Sequence, residues 1–174
     1  KTYPIDDFPS LPKIEEENVF LSNTNDVLNG LRAVFYSAPS SDIKPEFSSV
    51  FIYSDGDNLV FVSTDSFRLA EKKIKTKKQL NIRGILIPIK NTNEIIRILN
   101  DLNTDIKICF NKNQITLSTE DIFITSKTID GIFPDYKQII PKDFTTEVVV
   151  LKEDLLNSLK ISNLFSDKFN QVNL

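Results

Sequence analysis

The 174-residue chain contains no histidine, no methionine and no tryptophan, with only four glycines and one cysteine. Without histidine there is no imidazole to act as a general base near neutral pH, and no His-based metal site. So few glycines leave little material for a loop that cradles phosphates. The lone cysteine, Cys109, excludes an internal disulfide. It alternates with Ile108 and Phe110 in a strand-like run and shares a face with Lys107. It is therefore expected to be half-exposed on a sheet, an inert small residue in a reducing cytoplasmic setting. No apolar run approaches the ~20 residues of a membrane span, and no signal-peptide pattern is read at the start. The absence of methionine leads to the expectation that the chain is an internal piece of a longer one. Charges nearly balance, with 21 Lys and Arg against 24 Asp and Glu for a net charge of −3. Any contact with nucleic acid must then come from a local patch rather than a global field.

What is present, 40% apolar residues, is enough for one core of ordinary size. Residues 1–17, with three prolines and the run Glu15-Glu16-Glu17, read as a connector. A short strand from Asn18 follows. The spacing of Val27, Leu28, Leu31, Val34 and Phe35 then predicts a helix over 24–37, with Asn23 or Thr24 as N-cap and Pro39 as terminator. Strands are expected over 47–55, 58–65 and 68–76, the first two joined by a hairpin at Asp55-Gly56-Asp57-Asn58. The Lys-rich stretch 72–78 reads as a solvated sheet edge. The pattern then restarts: a strand over 84–89, a helix over 91–102, and strands over 105–111, 114–120 and 122–130. The wording restarts too, NTNDVLNGLR at Asn23 and NTNEIIRILN at Asn91, 68 residues apart. The fold class is therefore α+β, a duplicated βαβββ unit with two helices packed on antiparallel sheets. A longer period places EVVVLKEDLLNSLK (147–160) over NVFLSNTNDVLNGLR (18–32), and Phe133-Pro134 over Phe8-Pro9. The expected organisation is a connector at 1–17, a whole domain at 18–132, a second connector at 133–144, and at 145–174 the strand–helix–strand that opens another domain.

Tandem domains of two βαβββ halves, each entered by a Phe-Pro connector, resemble the bacterial sliding clamp, the beta subunit of DNA polymerase III. The stretch VFVSTDSFRLAEKKI (60–74) is similar to that family's Thr-Asp-Gly-x-Arg-Leu-Ala strand pair. FITSKTIDGIFPDYKQIIP (123–141) is similar to its long segment ending in Gly-x-Phe-Pro-Asp-Tyr, and DFPSLP (7–12) matches the exit from its first domain. The resemblance implies the DNA-clamp fold, with this chain as the middle domain plus the start of the third. It implies a homodimeric ring of three-domain subunits around duplex DNA in the bacterial cytoplasm, associated with the nucleoid. Replicative polymerase, clamp loader and repair proteins would dock through short linear motifs. No cofactor, metal or catalytic residue is implied, and the piece alone is expected to be monomeric.

Matching the family's pocket residue by residue selects Lys44, Phe47, Thr64, Ser66, Phe67, Arg68 and Leu69, with Pro134, Gln138 and Ile139 from the second connector. Such a pocket suits extended peptides with Leu or Phe anchors, and plain core packing is the rival for Phe47, Leu69 and Ile139. Ser66 and Phe67 stand where the family commonly has Gly and His, so peptide preference is expected to differ. A further wall comes in the family from the extreme C-terminus, so weak peptide binding is expected of this piece. On the helices, Asn29, Arg32 and Tyr36, with Asn93 and Arg97, are assigned to the DNA-facing side, and Lys160 takes the place of Arg32 in the next domain. A solvated helix face is the bland alternative, and Glu94 and Asp101 dilute the charge. An enzyme built on Asp6-Asp7 or Glu120-Asp121 is rejected, because those pairs fall in a connector and a hairpin turn. A structural module unrelated to DNA would share the sheets but give no reason for the two long motifs.

Overall fold

The computed structural model describes residues 19–39, 44–76 and 80–166. The first connector, with Asp6-Asp7, lies outside them. The chain divides into two compact units, 1–134 and 135–174.

The first unit opens with strand β1 (Val19–Asn23) and helix α1 (Thr24–Val34). Asn23 caps α1, its side-chain oxygen accepting the Asn25 N–H at 2.9 Å. The predicted helix to residue 37 is α-helical only as far as Val34 and tightens into a 3₁₀ turn, Phe35–Ser37. Strands β2 (Ser49–Asp55), β3 (Asn58–Thr64) and β4 (Leu69–Lys75) follow. The second half repeats the order: β5 (Ile85–Pro88), α2 (Ile89–Leu99), β6 (Asp105–Phe110), β7 (Gln114–Ser118) and β8 (Phe123–Lys127). The duplicated βαβββ order is thus the observed one.

The halves are out of step with their wording. α2 opens at Ile89 with Pro88 as its cap, so Asn91 lies inside the helix, three residues past the position that matches Asn23. Pro88, with φ −53° and ψ 138°, is the corner from which the helix starts, and Thr92 turns inward to bond the Pro88 carbonyl at 3.1 Å. A consequence follows for the helix faces. Arg32 and Arg97 become equivalents, each the ninth residue of an 11-residue helix.

The sheets are built by exchange. One runs β1-β6-β7-β8 and the other β4-β3-β2-β5, all neighbours antiparallel. The first strand of each half therefore pairs with the second strand of the other half. Inner-facing side chains of both sheets and the apolar stripes of both helices form one core, including Leu31, Val34, Phe61, Ile87, Leu99, Ile106 and Leu117. Thr24, fully buried, ties α1 to the segment after α2: its hydroxyl donates to Leu102 O at 3.0 Å and accepts from Thr104 N at 3.1 Å.

Cys109 departs from expectation. It lies on the outer face of β6 as its alternation requires, but it is buried, since β6 is an inner strand with Val19 and Thr116 as its cross-strand neighbours. In the second unit the expected strand over 147–150 does not form. Residues Glu147–Leu151 are exposed, and among the described residues no strand pairs with them, so extended backbone there has no ladder to join. Helix α3 (Lys152–Leu164) does form, as its repeat period predicts, with no buried residue. The strand expected after it falls mostly outside the described residues.

Candidate functional site

The matched residues of the first unit gather at one end of the second sheet. Antiparallel pairing puts the start of β2, the end of β3 and the start of β4 side by side there. Just before β2, the Lys44–Phe47 turn is closed by Phe47 N–H and Ser48 N–H, both bonding Lys44 O at 3.1 Å. The Lys44 ammonium stands 5.4 Å from the centre of the Phe47 ring, a cation–π contact at a half-buried aromatic.

The segment leading to Pro134 lies against this same region. A Cβ on Gly131 would come within 2.8 Å of Glu46 Cγ, so Gly131 lets the segment before Pro134 pass close to the Lys44–Phe47 turn. Two residues on, the buried Phe133 ring stacks on Phe51 of β2, centroids 4.8 Å apart and planes 9° from parallel. Phe51 stacks in turn on Tyr53 at 5.2 Å. Their cross-strand partners Val60, Val62 and Leu86 are buried, so this outer face carries its own apolar layer. Pro134, half-buried, follows from the Phe133 anchor.

Between β3 and β4 the chain turns over Asp65-Ser66-Phe67-Arg68, and two side chains satisfy the tip. Thr64 Oγ1 donates to Arg68 O at 2.8 Å and accepts Ser66 N–H at 3.2 Å. Asp65 Oδ1 accepts the Phe67 N–H at 3.0 Å and the Arg68 N–H at 2.9 Å, and Oδ2 accepts the Arg68 Nε–H at 2.8 Å. Partial burial pushes the Asp65 carboxyl up, yet the Arg68 and Phe67 amides and the Arg68 guanidinium outweigh it and hold the carboxyl below its ordinary value. Ser66 takes φ +74°, the only positive φ of a non-glycine among the described residues. Phe67 projects from this tip 98% exposed. Leu69 is half-buried and Thr64 buried, so core packing accounts for part of their environment.

Gln138 and Ile139 belong to the second unit, on the 3₁₀ helix Tyr136–Ile139. Gln138 donates its side-chain N–H to Asp135 Oδ2 at 2.7 Å. Ile139 is 67% exposed and so is not a core residue. Asn29, Arg32, Tyr36, Asn93 and Arg97 are all exposed, on α1, α2 and the 3₁₀ turn after α1. Arg32 donates to Asn100 Oδ1 across the helix pair, and Arg97 bonds Glu94 at 2.7 Å. Lys160, exposed on α3, is in the second unit. Among the described residues no group of three or more His, Cys, Asp and Glu side chains could hold a metal ion. Sequence reasoning passed over Asp65, Glu46 and Phe51. Asp65 carried a readable signal, an aspartate opening a four-residue turn with its side chain free to cap the following amides.

Two exchanged βαβββ halves with paired helices and two antiparallel sheets define the class: a duplicated domain of DNA-clamp architecture. Comparison with known proteins agrees. The family model described as DNA polymerase III beta subunit, central domain, matches residues 19–135. The beta sliding clamp of Rickettsia felis is 28% identical over 178 residues, covering 99% of this chain and 47% of that protein. The crystal structure of the Bacillus subtilis DNA polymerase sliding clamp is 27% identical with a TM-score of 0.86, over 94% of this chain and 43% of that one. The Thermotoga maritima beta subunit structure is also 27% identical, with a TM-score of 0.83 over 92% and 44%. The chain thus spans about half the length of the relatives it matches. It belongs to the DNA polymerase III beta subunit family, which it matches through the central domain.

Proposed function

We propose that this chain is part of a DNA sliding clamp subunit, a non-catalytic processivity factor that encircles duplex DNA and tethers a replicative polymerase. In this reading residues 18–132 are the middle domain, 133–144 the interdomain connector and 145–174 the start of a third domain. The full protein forms a homodimeric ring in the bacterial cytoplasm at the nucleoid, and polymerase, clamp loader and repair proteins dock by short linear motifs. The cleft for those motifs takes in Lys44, Phe47, Thr64, Ser66, Phe67, Arg68, Leu69 and Pro134, with Gln138 and Ile139. The observation that supports it most is the gathering of the Lys44–Phe47 turn, the 65–68 turn and residues 131–134 at one sheet end.

Sliding requires phosphate contacts that exchange rather than lock. Arg32 and Arg97 suit this, being exposed, in equivalent helical turns, and engaged only in surface bonds worth little in water. Asn29, Tyr36, Asn93 and Lys160 supply neutral or charged groups of the same kind. The test is loaded-clamp primer extension with full-length protein. Arg32→Glu with Arg97→Glu should shorten extension products and reduce the salt dependence of DNA retention by about two units of logarithmic slope. Unchanged processivity and slope would remove both arginines from the DNA-facing set.

A further inference from the structure

The 65–68 turn is over-determined for a simple hairpin. Ser66 sits at φ +74°, where a non-glycine residue is disfavoured on the order of 1 kcal/mol, and Phe67 leaves almost its whole ring in water. Strain of that kind persists only when the surroundings enforce it. The enforcement comes from Thr64 and Asp65, which between them take the amide N–H groups of Ser66, Phe67 and Arg68. Asp65 N–H closes the turn onto Arg68 O at 3.3 Å. The three tip amides are thereby committed within the turn, which disfavours main-chain addition of an incoming peptide here. What the tip offers a partner is side chains: the Phe67 ring and the Arg68 guanidinium, which is 57% exposed although its Nε is held by Asp65.

We propose that Asp65 is a positioning residue of the peptide cleft, and that Phe67, presented by it, is the specificity determinant that selects peptides bearing a second aromatic side chain beside their Leu or Phe anchor. The inference rests on the cleft reading above and deepens it by naming the peptide chemistry. An aromatic partner can stack or meet the Phe67 edge and remove that exposed ring from water, a gain that alanine cannot supply. A pre-set backbone lowers the ordering cost of the encounter, because the ring's origin is fixed before the peptide arrives.

Full-length protein is titrated by fluorescence anisotropy with labelled hexapeptides. Each carries a Leu-Phe pair with alanine elsewhere, and one tyrosine is moved through the four other positions. The expected result is one tyrosine position that binds about three- to tenfold more tightly than the all-alanine parent. Phe67→Ala abolishes that ratio. Asp65→Ala reduces it, and Asp65→Asn restores most of it, because the amide oxygen still accepts the Phe67 and Arg68 N–H groups. Circular dichroism confirms that each variant is folded, and Asp65→Asn carries the test if Asp65→Ala is not. If peptides bind but no position shows a tyrosine preference, or Phe67→Ala keeps it, the proposal falls while the cleft reading stands. If no Leu-Phe peptide binds the wild type, both fall.

Discussion

At the scale of single residues, close approach decides more than composition does. Gly30 sits inside α1 where alanine would favour the helix by about 1 kcal/mol. A Cβ there, however, would lie 2.4–2.6 Å from three atoms of the Phe61 ring, which is fully buried. Overpacking of this kind costs about 1–3 kcal/mol and exceeds the propensity gain. Gly30→Ala should therefore destabilise the fold, seen as a lower urea midpoint with unchanged slope. An equal or higher midpoint would show that the Phe61 contact relaxes. Nothing local in the sequence reveals which ring lies over Gly30. Cys109 was misjudged for a related reason. Alternation gives its face of the sheet correctly, but burial depends on β6 being an inner strand between β1 and β7.

At the scale of elements, the helices were the most legible part, since the apolar spacing of α1 and the cap at Asn23 are local facts. Their junctions were not. Thr24 reads as a second possible cap, yet it is fully buried and bonds Leu102 O and Thr104 N, some eighty positions away. Thr24→Val keeps the shape and removes both bonds, leaving Leu102 O and the Thr104 N–H without that partner. A loss of about 1–3 kcal/mol is expected, measurable as a lower thermal midpoint. A loss within a few tenths of a kcal/mol would mean that water replaces the hydroxyl. The failed strand at 147–150 teaches the complementary lesson. Val148, Val149 and Val150 favour extended backbone, but a strand exists only with a neighbour to hydrogen-bond. The candidate cleft divides in the same way. The TDSFRLA and GIFPDYKQIIP stretches were visible as wording, whereas Phe133 on Phe51 and Gly131 against Glu46, which set the start of the second stretch beside β2 and the Lys44–Phe47 turn, are contacts between residues far apart in the chain.

At the scale of the whole molecule, the exchange of first strands makes the duplicated domain indivisible. β1 completes the sheet of β6, β7 and β8, and β5 completes that of β2, β3 and β4. Either half alone would lose a strand from its sheet and expose the inner face of Phe61, Ile52 and Leu59 or of Ile106, Ile108 and Leu117. Residues 19–83 expressed alone should lack a cooperative unfolding transition and regain one on mixing with residues 84–134. A sharp transition in the isolated half would contradict the interlocked core. The sequence by itself determined the α+β class, the two βαβββ halves, the absence of imidazole chemistry and the stretches that carry the family resemblance, because each is written in local periodicity or residue identity. Only the tertiary structure decided which half supplies each sheet's first strand, that Arg32 matches Arg97, and that Asp65 holds Phe67 out on a strained turn. Those depend on register and on contacts between distant residues, which no local pattern encodes.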